Sequence, residues 1–478
     1  MPVAIVWFRN DLRLDDNPAL QAAIDGGFDV VPVYIHDPDG EGEWAPGAAS
    51  NAWRARSLQS LDNALHRHGN ALRFFLGHAG PTLAGIAAAT GAEAVFWNRR
   101  YEPAVEARDA RIKRELREQG LQVESFNAAL LFEPWTLKTG KGGPYRVFTP
   151  FYRAALAHWA PTSPQDAPDR IAHSDDGPAG VLIDQLRLTP ERTWDGGFWS
   201  HWTPGETGAR EALEAFVDGA LHGYVEGRDR PDRIGTSRLS PHLHFGEIAV
   251  WRVVHAIEAQ RGRVPDAQID AFLRQLVWRE FATHLLHHFP HTPDRDLDER
   301  FANFDWAKPG RAAIDRWRRG RTGVPIVDAG MRELWSTGWM HNRVRMIVAS
   351  YLCKHMRVHW RTGTEWFRDT LVDADLANNT MGWQWVAGTG ADAAPYFRVF
   401  NPVTQAERFD PRGEYVAQWL PELASIPVPL RHAPWRDPEL LARVAPSYPR
   451  TPLVDLAKGR DDALLAYRKS RDARRGDD

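Results

Sequence analysis

The sequence predicts an α/β domain with a doubly wound parallel sheet, followed by a large all-α domain. Three observations carry that expectation. Short β-rich runs alternate with helical patterns up to about residue 130, prolines then interrupt the chain, and amphipathic helical segments dominate from Glu206 onward. With 478 residues the chain is about three times the ~150-residue norm for one domain, so more than one domain is expected.

Taken in order, Val3–Phe8 and the runs 30–35, 72–76, 94–97 and 123–126 read as strands, rich in Val, Ile, Phe and Trp. Between them Pro18–Asp25 and the stretches 49–68, 82–90 and 104–119 carry helical spacing. Such alternation places a ligand crevice beyond the C-terminal ends of the strands. No G-x-G-x-x-G or Walker lysine motif follows the first strand, which argues against ordinary dinucleotide or ATP binding there. Pro134, Pro144, Pro150, Pro161, Pro164, Pro168, Pro178, Pro190 and Pro204 mark a connector. Helices are expected at 209–220, 267–288, 312–318 and 344–359, and a charged, helix-like tail at 455–478. The expected organisation is an α/β domain at 1–132, a connector at 133–205 and an α-helical domain at 206–478.

Lys and Arg number 59 against 62 Asp and Glu, a net charge of −3, so any nucleic-acid surface is local. The single cysteine, Cys353, forbids an internal disulfide and an all-cysteine iron–sulfur or zinc site, and a reducing cytoplasm is the natural home. The N-terminus lacks a basic n-region, and no apolar run reaches the roughly 18 residues of a membrane span; neither export nor membrane insertion is expected. Tryptophan is the anomaly: 21 of them, many beside Arg and His in the C-terminal half, point to stacking or redox use.

Four segments carry chemistry. Thr236-Ser237-Arg238-Leu239-Ser240-Pro241 crowds hydroxyls around one Arg before a helix, suited to a phosphate; by itself it reads equally as a Ser N-cap with Pro at the first helical position. Trp278-Arg279-Glu280-Phe281 lies in a helical pattern with Gln275 on the face of Trp278, an aromatic and an amide that could read a base, or a core Trp with a solvated ion pair. Residues 308–361 hold twelve Lys or Arg against Asp315, Asp328 and Glu333, interleaved with Trp317, Trp335, Trp339 and Trp360: a phosphate-binding face, or a solvated one. Asp373, Asp375, Asn378, Asn379, Trp383 and Trp385 cluster within 373–385, where amides and indoles suit a heteroaromatic ring better than the carboxylate pair suits hydrolysis. His355 and His359 are four apart with no third ligand in view, so no metal is assigned.

The segments Trp7-Phe8-Arg9-Asn10-Asp11-Leu12-Arg13-Leu14-Asp15-Asp16-Asn17-Pro18, Leu239-Ser240-Pro241, Trp278-Arg279-Glu280-Phe281, Thr337-Gly338-Trp339-Met340-His341-Asn342-Arg343 and 373–385 resemble the signatures of the photolyase/cryptochrome flavoproteins across almost the whole chain. The resemblance implies an FAD-binding helical domain, an N-terminal domain that often carries an antenna chromophore, and light-driven electron transfer. It assigns Tyr224, Thr236, Ser237, Arg238, Leu239 and Ser240 to the FAD phosphates and sugar, Arg345 to a pair with Asp373 beside the isoalloxazine, Asp375 to its polar edge and Asn379 to flavin N5. Trp383, Trp360 and Trp306 match the tryptophan chain that reduces the flavin.

The same resemblance points to cyclobutane pyrimidine dimers in DNA as substrate. Trp278 and Trp385 would stack on the bases, Arg279 and Arg343 hold phosphates, and Gln275, Asn342 and Met346 line the lesion; (6-4) photolyases have histidines where Asn342 and Met346 stand. Gly142-Gly143-Pro144-Tyr145-Arg146 and Trp202-Thr203-Pro204-Gly205-Glu206-Thr207 look most like the bacterial branch nearest plant cryptochromes. Two positions depart from the pattern. Gln275 replaces the usual Glu, and Ala104 and Val105 replace an Asn-Glu folate clasp, so a pterin in another pose, a deazaflavin or no antenna all stay open. A monomer without an obligate protein partner is expected; a blue-light signalling flavoprotein is the rival reading.

Overall fold

Val3–Phe8 (β1) is an unbroken apolar run buried at every residue, as a parallel strand covered on both faces requires. The computed structural model of the protein describes residues 1–174, 176–191, 193–392 and 397–475. After β1 come Pro18–Asp25 (α1), Asp29–His36 (β2), Ala48–Arg67 (α2), Arg73–Leu76 (β3), Ala79–Thr90 (α3), Ala94–Asn98 (β4), Pro103–Glu118 (α4) and Gln122–Phe126 (β5). The strands are all parallel, in the order β3-β2-β1-β4-β5. The doubly wound sheet expected from the alternation is present, with strand bounds that differ from the expected ones only at their ends.

Local chemistry sets these elements. Asn17 caps α1 by accepting from the Leu20 N–H at 3.2 Å, with Pro18 at the first helical position. Trp7 and Trp97 meet edge to face at 5.7 Å in the core beside Ile5, Val31, Val33 and Val95.

The remaining helices are Phe148–Ala157 (α5), Glu206–Asp218 (α6), Tyr224–Gly227 (α7), Ser240–His244 (α8), Val250–Glu258 (α9), Asp266–His288 (α10), Arg311–Arg318 (α11), Pro325–Thr337 (α12), Asn342–Ser350 (α13), Trp360–Thr370 (α14), Leu376–Ala387 (α15), Pro402–Phe409 (α16), Glu414–Trp419 (α17), Pro438–Val444 (α18) and Leu456–Arg475 (α19). Two units emerge. One comprises Met1–His222, Ser237–Pro290 and Val372–Leu376; the other comprises Gly223–Thr236, His291–Leu371 and the chain from Ala377 on.

Two expectations change, and a third, the charged tail, holds. The proline-rich connector contains a helix, α5, whose Phe148 and Phe151 are buried. The continuous helix expected at 344–359 is broken: α13 runs into a π-turn at Tyr351–His355, where Met356 N–H bonds to Tyr351 O at 3.0 Å, and Arg357 takes a left-handed φ of 52°. His359 then caps a new helix, its Nδ1 accepting from the Arg361 N–H at 3.1 Å. The charged tail is the helix α19, and its last three expected residues, 476–478, lie outside the described ones.

Candidate functional site

In the first unit, the charged residues of the 7–18 signature are held mainly by residues beyond it. Arg9 bonds to Asp109 at 2.6 Å and to Asn98 O; Asn98 donates to Asp11 and to Asn17, both at 2.7 Å; Arg13 reaches Gly246 O at 2.8 Å and Ala128 O at 2.9 Å. The motif is a buried polar network that ties residues 9–17 to Asn98, Asp109, Ala128 and Gly246, with Arg9 Nε left without a hydrogen-bond partner among the described residues.

Helix α10 brings Gln275, Trp278 and Arg279 together, and each has a distinct environment. Trp278 lies flat on Phe148, ring centroids 3.5 Å apart and planes within 6°. Gln275 donates its amide to Ala271 O at 3.2 Å. Arg279 reaches Ala129 O at 2.7 Å and Glu280 at 3.3 Å, while Glu280 accepts from Leu131 N–H at 2.8 Å and Phe132 N–H at 3.1 Å. The ion pair is therefore a strap between α10 and residues 129–132, not a solvated pair, and burial pushes Glu280 up to about 7 against the pull of Arg279. Arg279 is redirected from an open phosphate donor to this strap.

Ser237, Arg238, Leu239 and Ser240 also lie in the first unit. Ser237 Oγ accepts from Leu239 N–H at 3.4 Å, Arg238 has a left-handed φ of 53°, and its guanidinium lies 4.9 Å over Trp202. Leu239, not Ser240, is the cap residue of α8, and Pro241 follows at the second helical position. Asp373 is buried; Asp375 comes within 3.9 Å of His244, whose pKa burial lowers.

In the second unit, Tyr224 opens α7 and is buried, and Thr236 ends the same segment. A Cβ on Gly235 would sit 2.2 Å from Gly227 O, so glycine is required for the turn that carries Thr236 back past α7. Asn342 is exposed at the start of α13; Arg343 pairs with Asp229 at 2.7 Å, lies 4.3 Å over Phe409 and meets Met346 Sδ at 3.7 Å. Arg345 donates to Met340 O at 2.7 Å.

Trp306 and Trp360 are bridged by a residue that the sequence offered only as half of a histidine pair. The His359 ring lies 5.1 Å from Trp306 and 5.2 Å from Trp360, and the Trp360 indole donates to Asp296 at 2.7 Å. Trp383 has ring contacts with Phe367 at 4.9 Å and Trp317 at 6.4 Å, and none with Trp360 among the described residues. Asn379 donates its amide to Thr364 O at 3.1 Å, and Trp385 donates to Asp392 O at 3.1 Å.

The basic stretch 308–361 is not one free phosphate-binding face. Lys354 is buried, donating to Ala387 O at 2.6 Å, with burial holding its amine well below the usual range. Arg332 pairs with Glu422 at 2.7 Å, Arg321 with Ser447 O at 3.0 Å, Arg357 with Asp305 at 3.3 Å and Arg361 with Asp294 at 3.3 Å. The acids that pair with Arg332, Arg357 and Arg361 come from outside the run, while Asp315 within it pairs with Arg311 and Arg318.

Against known proteins, residues 4–169 match the family described as DNA photolyase, and residues 272–469 match the FAD binding domain of DNA photolyase. The chain is 46% identical over 469 residues to a deoxyribodipyrimidine photo-lyase of Agrobacterium fabrum, covering 97% of each. The chain belongs to the photolyase/cryptochrome family. It is also 37% identical to Cryptochrome-1 of Arabidopsis thaliana, over 92% of this chain and 66% of that protein. A bacterial class III photolyase from Agrobacterium tumefaciens superposes with a TM-score of 0.94 at 45% identity, covering 99% of this chain and 98% of that one.

The residues of this family member fit a flavin dinucleotide in donor chemistry. In the first unit hydroxyls and a guanidinium crowd 237–240, and His244 Nε2 is buried without a hydrogen-bond partner among the described residues; in the second, Thr380 Oγ1 is buried likewise, and Asn379, its amide taken by Thr364, keeps Oδ1 for a ligand. Sequence reasoning missed Phe148 and Asp296, because neither belongs to a motif, and weighed His359 only as a metal ligand. The only signal for Phe148 is its aromatic neighbourhood, Phe148-Thr149-Pro150-Phe151-Tyr152, inside a stretch that reads as linker.

Proposed function

We propose that the protein is a deoxyribodipyrimidine photo-lyase that splits cyclobutane pyrimidine dimers in DNA under blue light. The observation that carries the reading is Trp278, an indole backed on one face by Phe148 and half-buried, in a family whose members include enzymes of that name. Such a ring offers its other face to a base, and an extruded, damaged base has the least stacking to lose. Bound FAD in its reduced form supplies the electron when illuminated. The chain's own part is to bind and orient. Trp278 and Trp385 stack on pyrimidines, Gln275 bonds to a base edge, and Asn342 and Met346 offer an amide and a thioether where acid–base repair of a (6-4) lesion would call for histidines. Tyr224, Thr236, Ser237, Arg238, Leu239, Ser240, Arg345, Asp373, Asp375 and Asn379 hold the flavin, and Trp383, Trp360 and Trp306 serve as its electron donors. A phosphate on Arg279 or Arg343 has to compete with their internal acceptors.

The proposal extends to a monomer working in the cytoplasm, with domains at 1–132 and 206–478 joined by the connector. Among the described residues no helix is long and apolar enough to cross a membrane. A second, light-harvesting chromophore of pterin or deazaflavin type would use the guanidinium of Arg54, which is buried with Nε and Nη2 lacking a hydrogen-bond partner among the described residues; Val105 is fully buried and unavailable to any ligand.

Illuminating the purified, reduced protein with a dimer-bearing oligonucleotide tests the reading. Loss of dimer under blue light supports it. Unchanged dimer content overturns it, and lesion-independent DNA affinity together with a light-dependent protein partner would install the signalling alternative, for which the identity to Cryptochrome-1 is the specific ground.

A further inference from the structure

Arg274 stands one helical turn before Trp278 on α10, so the two share a face. Its guanidinium carbon lies 4.9 Å over the ring of Phe148 and 4.8 Å over that of Tyr152, and the two rings stack on each other at 5.6 Å. Phe148 is therefore shared: Trp278 lies against it at 3.5 Å and Arg274 packs on it as well. Among the described residues the guanidinium makes no hydrogen bond and no ion pair, and the carboxylate one turn earlier, Asp270, is taken by Arg261 at 2.9 Å. Arg279 and Arg343, by contrast, are engaged by Ala129, Glu280 and Asp229.

A half-buried arginine with five unused N–H donors, fixed by two rings rather than by a carboxylate, is prearranged for an anion that arrives from outside. Its planar fork fits phosphate oxygens, and cation–π contact holds the plane without using a donor. Four residues of helix put it about 6 Å from Trp278 along the axis, close to two base steps at ~3.4 Å each. We propose that Arg274 is a backbone-phosphate contact of the DNA strand that presents a base to Trp278, and that Phe148 is the positioning residue that keeps the two in register. The proposal rests on the reading of Trp278 as a base-stacking ring.

The test is equilibrium binding of the FAD-loaded full chain to a dimer-bearing and an undamaged oligonucleotide over a series of salt concentrations. Arg274→Gln is expected to weaken both complexes equally, by roughly threefold to tenfold, and to lower the slope of log K against log salt by about one; Arg274→Lys restores the slope. Trp278→Ala is expected to lose the preference for the dimer and keep the slope. Phe148→Leu, with its melting temperature measured alongside, does both in part. A parental slope and affinity in Arg274→Gln, beside a Trp278→Ala variant that loses dimer preference, overturns the phosphate contact and leaves the base-stacking reading standing. A loss confined to dimer DNA with the slope unchanged also overturns it, because Arg274 would then touch the lesion rather than the backbone. Dimer preference retained in Trp278→Ala removes the base-stacking reading itself, whatever Arg274 does.

Discussion

The indole N–H of Trp360 donates to a carboxylate oxygen of Asp296 at 2.7 Å. A carboxylate acceptor is worth more when the indole carries positive charge, as it does after giving up an electron, because the hydrogen bond then joins opposite charges. Asp296→Asn keeps an acceptor and removes the charge. It is expected to cost the oxidised indole about 1.5–3 kcal/mol and to slow photoreduction of oxidised FAD accordingly. Transient absorption of the tryptophan radical measures this, and the ¹⁵N-indole shift of Trp360 reports the altered hydrogen bond without any flavin present. Parental kinetics in Asp296→Asn would show that the carboxylate does not tune the ring.

Trp306→Phe and Trp360→Phe are expected to abolish most photoreduction of oxidised FAD while dimer repair proceeds in protein reduced chemically, since repair draws on the flavin and lesion alone. His359→Leu, placed between the two rings at 5.1 and 5.2 Å, should slow transfer less than either indole change. If both tryptophan variants photoreduce at the parental rate, another indole route carries the electron, and Trp317, 6.4 Å from Trp383, is the first to substitute.

Gly363 has no room for a side chain: a Cβ there would lie 2.0, 2.3 and 2.5 Å from ring atoms of Trp383. Ala favours an isolated helix over Gly by about 1 kcal/mol, yet overpacking costs about 1–3 kcal/mol. Gly363→Ala is therefore expected to melt lower than the parent and to alter the near-ultraviolet circular dichroism of Trp383. A higher melting temperature with an unchanged spectrum would show that the ring yields freely.

Glu280 ties stability to pH. Burial raises its carboxyl from the ordinary 4.5 to about 7, so between those values the folded chain keeps a proton that the unfolded chain releases. Its contribution is complete below 4.5 and is lost as pH rises through about 7. Glu280→Gln is expected to flatten the fall in melting temperature across that window relative to the parent. Equal slopes for the two proteins would place the titration elsewhere.

The elements of the sheet were legible in the sequence because their causes are local. β1 is apolar throughout, Asn17 and Pro18 sit at the cap of α1, and these signals need no knowledge of what the strand or helix touches. The aromatic and amide content of α10 and of 373–385 was likewise visible as chemistry. What those side chains do was decided only by the folded chain. Arg279 and Glu280 look like a surface pair until residues 129–132, some 150 positions away, supply Ala129 O and the N–H groups of Leu131 and Phe132. Arg274 looks like one arginine among many until Phe148 and Tyr152 stack on it, and Asp296 gains its meaning from an indole 64 residues on. The helix expected through 344–359 fails for the same reason: its helical pattern continues, but a π-turn and the His359 cap redirect the chain at Arg357. Secondary structure follows from patterns a few residues long, whereas the charge state of a carboxylate and the partner of a guanidinium depend on which distant segment excludes water from them.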